Sequence, residues 1–235
     1  MLMRSLAQVA TVSFGISFGF SPAFAADVAT PYELEPSSAA FLVITKKEGV
    51  ASGFAHDHLI AAQDYKVVLS APEGEPEKGV FRFVVNASSL TFDAPETQTK
   101  HFAALKAAGV KAEPFSPLSE GDRAKIKENA LGASQLDAAK YPEILAEVTN
   151  LKKEGNTFQG REFSHTATVK ITVKGKTVEK RLPANVTMAS KELTVESVGA
   201  FAFSEFGIKA YSALFGAVRN ADPFHIYVSF KARTK

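Results

Sequence analysis

The 235-residue chain carries 27 Lys and Arg against 25 Asp and Glu, a formal charge of +2, and that balance gives no electrostatic case for nucleic acid. It has no cysteine, which excludes disulfides and thiolate chemistry. It has no tryptophan either, yet it has 19 phenylalanines, rings without a polar handle that favour dry surroundings.

Residues 1–25 have the layout of a cleaved secretory signal peptide: Arg4 as the positive start, an uncharged apolar run over 6–20, Pro22 as its break, and Ala23-Phe24-Ala25 as a small-x-small cleavage site. The run is short for a transmembrane helix. The expected address is therefore the periplasm, with residues 26–235 as a single domain.

In the segment 26–36, Tyr32 and Leu34 alternate and begin a strand; 39–45 is a short apolar run fit for another. Residues 52–60 (SGFAHDHLI) read as a strand or strand end, 65–71 as a strand with Val67 and Leu69 on one side, and 80–92 as one long strand on which Phe81, Phe83 and Val85 share a face. Residues 93–117 read as a surface excursion with an alanine-rich helical piece at 103–112. Ser119 caps a further helix that has Glu120 and Asp122 in its first turn and ends at Gly132. Arg123, Lys125 and Lys127 on this helix read as a solvated face. Residues 144–151 form a strand, 157–163 another candidate, and 165–173 with 177–188 a hairpin around the turn at 174–176.

The last forty residues read as strand, break, helical turn, turn and strand. Phe201 and Phe203 alternate with small residues, and Phe206, Gly207 and Ile208 form the break. Tyr211, Leu214 and Phe215 fall at i, i+3 and i+4, one face of a helical turn; 220–223 is turn chemistry. Phe224, Ile226, Val228, Phe230 and Ala232 then alternate with polar residues, so one side of this strand is continuously apolar. Nine or ten strands, one clear helix and one or two shorter helical pieces predict an all-β fold with minor helix. Antiparallel neighbours joined by short turns favour a closed up-and-down barrel or a sandwich, and closure removes free edges and can leave a ligand cavity.

Four blocks carry a family resemblance: residues 37–53 with the following Phe54, residues 138–147 (AAKYPEILAE), residues 169–182 (VKITVKGKTVEKRL), and residues 203–232. Together, in this order, they are similar to the YceI-like family of periplasmic proteins. The resemblance implies a lipocalin-like antiparallel up-and-down β-barrel with an apolar interior. It also implies a non-catalytic binding protein for a long-chain amphiphile, such as a polyisoprenoid, an isoprenoid quinone or a fatty-acid derivative, with no cofactor required. A homodimer and transient contact with a membrane or a redox protein stay open as partners.

The cavity candidates are Phe54, Leu59, Phe81, Phe83, Phe201, Phe203, Phe206, Ile208, Leu214, Phe215, Ile226 and Val228, with His56 and His58 at the headgroup. Strand parity groups residues two apart but does not say which face is inside. On a strand, His56 and His58 point the same way, so a metal site built on them is the alternative, one that needs a third ligand from elsewhere. Asp57 beside His58 invites acid–base chemistry, but no serine or cysteine nucleophile motif accompanies it. A further alternative is a solid-core protein that binds a partner at its surface.

Overall fold

Alternating apolar and polar residues dominate the chain, and the computed structural model, which describes residues 29–50, 53, 55–213, 215 and 217–234, folds them into strands. In chain order these are β1 (Thr30–Leu34), β2 (Ala40–Glu48), β3 (His58–Ala61), β4 (Tyr65–Ala71), β5 (Val80–Asn86) and β6 (Thr91–Phe92). Two helices follow, α1 (Pro95–Ala107) and α2 (Glu120–Leu131), and then β7 (Glu143–Lys152), β8 (Asn156–Phe158), β9 (Arg161–Phe163) and β10 (His165–Val173). β11 (Lys176–Ala189), β12 (Glu192–Ala202), β13 (Ser212–Ala213) and β14 (Val218–Thr234) complete the chain. The expected signal peptide lies outside the described residues, as do Phe54 and Leu214.

The order β1-β4-β5-β7-β10-β11-β12-β14 returns to β1, so eight antiparallel strands close an up-and-down barrel. Closure depends on the length of β14, whose end pairs with β1 (Tyr32 with Thr234) and whose remainder pairs with β2 (Ser229 with Ala40). β2 carries on to β3 and β6, which extend the wall beyond the eight strands. The β10–β11 hairpin turns on Lys174 (φ 50°) and Gly175 (φ 74°), the two left-handed residues that match the twist of the flanking strands.

Three expected elements are corrected. The long strand over 80–92 is two strands. Asn86 accepts a hydrogen bond from the Ser88 amide and turns the chain through a 3-10 turn (Ala87–Ser89), so β6 pairs with β3 and not with the strands of β5. The segment 93–117 is no surface excursion: α1 begins at Pro95, and Leu105, Ala108 and Val110 pack against Leu42, Ile44, Leu59, Val198 and Tyr227 on the outer face of the sheet. Within the helical turn expected at 211–215, Ser212–Ala213 form β13, paired with the start of β14, and Phe215 lies in a 3-10 turn; residues 220–223 lie within β14 as an irregularity of register against β2. Pro223 is accommodated there because its missing N–H falls where the ladder is already interrupted.

Candidate functional site

The inner faces of the barrel strands enclose a cavity of about 610 Å³, within the size range of small-molecule sites. Parity decides its wall. Phe41, Val43 and Thr45 of β2 face in, as do Phe81, Phe83 and Val85 of β5, and Phe224, Ile226 and Val228 of β14. The far end is filled by Leu69, Ala71, Leu193, Phe230 and Ala232, all buried. On the inner face of β12, beside Ile226 of β14, Gly199 makes room for Leu182 of the neighbouring strand β11, whose Cδ2 a Cβ there would meet at 2.6 Å. At the other end α2 crosses the mouth and contributes Asp122, Lys125, Ile126 and Asn129 to the lining. Ser119 caps this helix by accepting from the Asp122 amide.

Part of the inner wall is less buried than the outer face beneath α1. Phe41, Val43, Phe83, Ile171, Ile226 and Val228 point inward yet are only half-buried, whereas Leu42 and Ile44, on the outer face under α1, are fully buried. The inner wall therefore packs around open space. Its outer counterpart is sealed by α1 and by the β8–β9 hairpin, which Arg161 clamps to Glu196 of β12.

Of the residues expected in the cavity, His56, His58, Phe81, Phe83, Phe201, Phe203, Phe206, Ile208, Ile226 and Val228 line it. Two do not. Leu59 stands between His58 and Ile60 on β3, so its side chain takes the outer face and is buried beneath α1. Phe215 lies in the β13–β14 connection at φ 54° and is fully exposed. Phe54 and Leu214 lie outside the described residues.

The His56-Asp57-His58 run divides by parity. Asp57 turns away from the cavity, accepts from the Lys111 ammonium at 2.6 Å and from the Lys47 amide at 2.9 Å, and so ties the run to the segment after α1. Burial works against its carboxylate, but these donors more than offset that and hold its pKa below the usual range. The partner of His58 is Asp93: its Oδ2 accepts from His58 Nδ1 at 2.7 Å, and its Oδ1 accepts from the Leu59 amide at 2.8 Å. Sequence reasoning missed Asp93, which lies 35 residues away in a turn and adopts a φ of 52°. Thr45 was also missed; it is 3% exposed, faces the cavity, and its Oγ1 has no partner, which is equally true of His56 Nδ1.

The remaining histidines are elsewhere. His101 is on α1, His165 closes the far end near Glu77, and His225 is on the outer face of β14 with its ring edge-on to Phe158. No group of three or more His, Cys, Asp or Glu able to hold a metal ion occurs among the described residues. Burial, with Lys46 adding to it, lowers the His225 pKa below its ordinary 6.5. Folding thus disfavours the protonated ring, so its contribution to stability is present above about pH 6.5 and is lost as the pH falls below that value and the unfolded chain takes up the proton first. His101 shifts in the same direction. His225→Phe is expected to flatten the fall in thermal stability between about pH 7 and pH 5, read from melts across that range; an unchanged slope would assign the acid limb to other groups.

Comparison with known proteins agrees with this architecture. The sequence model of the YceI-like domain matches residues 46–232. Among solved structures, BcnA of Burkholderia cenocepacia superposes with a TM-score of 0.56 at 12% identity, covering 85% of this chain and 99% of its own. A mutant YceI protein of Campylobacter jejuni superposes with a TM-score of 0.50 at 12% identity, covering 75% of this chain and 84% of its own. At these identities the likeness is one of fold. No curated protein matches the sequence.

Proposed function

The chain belongs to the YceI-like family, and from its hollow barrel we propose that it binds a long-chain amphiphile, tail in the tunnel and head near His56 and His58, and carries it through the periplasm. The observation that supports this reading is the inner wall itself: aromatic and aliphatic side chains, Phe41, Phe83, Ile226 and Val228 among them only half-buried, around about 610 Å³ of space. An isoprenoid or alkyl tail offers apolar surface alone, and each methylene it buries is worth about 0.8 kcal/mol. A solid-core protein that used only its surface would leave no hollow of this size among these residues. The barrel also isolates the tail from water, which is what carriage between two membranes requires.

The reading is tested by native mass spectrometry of the protein isolated from periplasm, followed by organic extraction of what it holds. A stoichiometric adduct that extracts as a long-chain lipid or isoprenoid is expected. Protein without an adduct, after a purification that retains hydrophobic ligands, would count against carriage.

A further inference from the structure

Among the polar side chains that line the cavity, Thr45, His56 and His58 are neighbours. Thr45 and His58 are register partners across β2 and β3, and His56 precedes β3 by two residues on the same side. On its other edge Thr45 pairs with Phe224 of β14, and beyond His58 the wall continues as Ile60 and Phe92. Buried polar atoms are almost always hydrogen-bonded. Among the described residues three buried side-chain atoms have no partner, and two of them, Thr45 Oγ1 and His56 Nδ1, are on this wall. The other ring, His58, is fixed from behind: it donates Nδ1–H to Asp93, which is 1% exposed and also held by the Leu59 amide.

That arrangement sets the chemistry of a ligand. With Nδ1–H committed to Asp93, a neutral His58 presents Nε2 as an acceptor. The Thr45 hydroxyl can donate or accept, and the role of His56 Nδ1 follows its tautomer. A bare carbonyl could accept from Thr45 but would leave His58 Nε2 unpaired. A carboxylate or phosphate would bring negative charge into an apolar wall close to the buried Asp93 carboxylate. The cation among the lining residues is Lys125, exposed on α2 at the mouth and accompanied there by Asp122. A hydroxyl donates to His58 and accepts from Thr45 at once. We infer that Thr45, His56 and His58 form a headgroup site that selects a neutral head bearing a hydroxyl, an alcohol or a phenol, over its carbonyl counterpart. This inference rests on the tail-binding reading above and names the head.

The test uses one tail with two heads: geranylgeraniol and its aldehyde, geranylgeranial, each displacing N-phenyl-1-naphthylamine from the protein at about pH 8, above the ordinary imidazole range. The alcohol is expected to bind about tenfold more tightly, the effect of pairing one buried acceptor. Thr45→Val and His58→Phe are each expected to reduce that preference to about threefold or less, with the aldehyde bound as before. Thr45→Val preserves shape, so the test stands even if the His58 variant folds poorly. Equal binding of both compounds would overturn the headgroup inference and leave tail binding intact. A preference that survives both substitutions would overturn the assignment to these residues. Failure of both compounds to displace the probe would instead overturn the tail-binding reading.

Discussion

Ala146→Trp is expected to weaken binding of a long-chain isoprenoid alcohol by about 100-fold or more, because each methylene kept out of the tunnel forfeits about 0.8 kcal/mol. Ala146 is the small residue on the inner face of β7 between two large ones, with Phe83 as its register partner on β5 and Ile171 on β10. A tryptophan there projects into the hollow at mid-barrel without displacing a packed side chain. The fold should therefore survive, with a melting temperature equal to or above that of the parent, since filled space recovers dispersion contacts. The chain has no tryptophan of its own, so the new indole is a clean reporter: its emission should be blue-shifted and insensitive to added ligand. Unchanged affinity would place the tail outside the barrel. A variant that fails to fold would mean the interior is already packed, as a solid-core protein requires.

The parts of the site that could be read from sequence are those governed by one rule, the period of two. Phe81 and Phe83, Phe201 and Phe203, and Ile226 and Val228 each share a face in the sequence and each line the cavity in pairs. The rule fails where both faces of a strand are apolar. In β2, Leu42 and Ile44 are as apolar as Phe41 and Val43, because α1 covers the outside while the inside faces the hollow. Such a run without alternation signals a second layer, and it is the reason Leu59 was assigned to the cavity when it belongs under α1. Phe215 departs from the cavity for a different reason: Gly207 at φ 69° ends the 3-10 turn Phe203–Phe206, and the chain then pairs as β13 with β14, which leaves Phe215 exposed in the connection. Asp93 was illegible on any local rule: nothing near it in sequence points to His58, and only the pairing of β6 with β3 brings the two together. The charged environment of Asp57 was equally hidden, since Lys111 reaches it only once α1 has folded over the sheet.

The two sides of the sheet should respond oppositely to truncation. Leu105→Ala is expected to cost about 3 kcal/mol, the usual loss for a buried leucine whose surroundings cannot collapse, measured by denaturant unfolding. Leu105 is wholly inaccessible and sits with Ala108 and Val110 over Leu42, Ile44, Leu59 and Tyr227. Backbone hydrogen bonds hold this turn in place, with the Val110 amide donating to the Leu105 carbonyl. Removing the isobutyl group leaves a void with no neighbour free to fill it. The loss also reaches the site, because α1 follows directly after Asp93 and its Gln98 donates to the Asp93 carboxylate. Val228→Ala, by contrast, removes methyl groups that already face open space on the inner wall, and should cost less than about 1 kcal/mol in the empty protein. The contrast should narrow when ligand is present. An occupant at 100 times its dissociation constant adds about 2.7 kcal/mol to the folded state, and Val228→Ala then loses contacts with the tail that it did not have before. Equal costs for the two variants in ligand-free protein would mean that the inner wall closes on itself in solution, and that a ligand must open the barrel before it can enter.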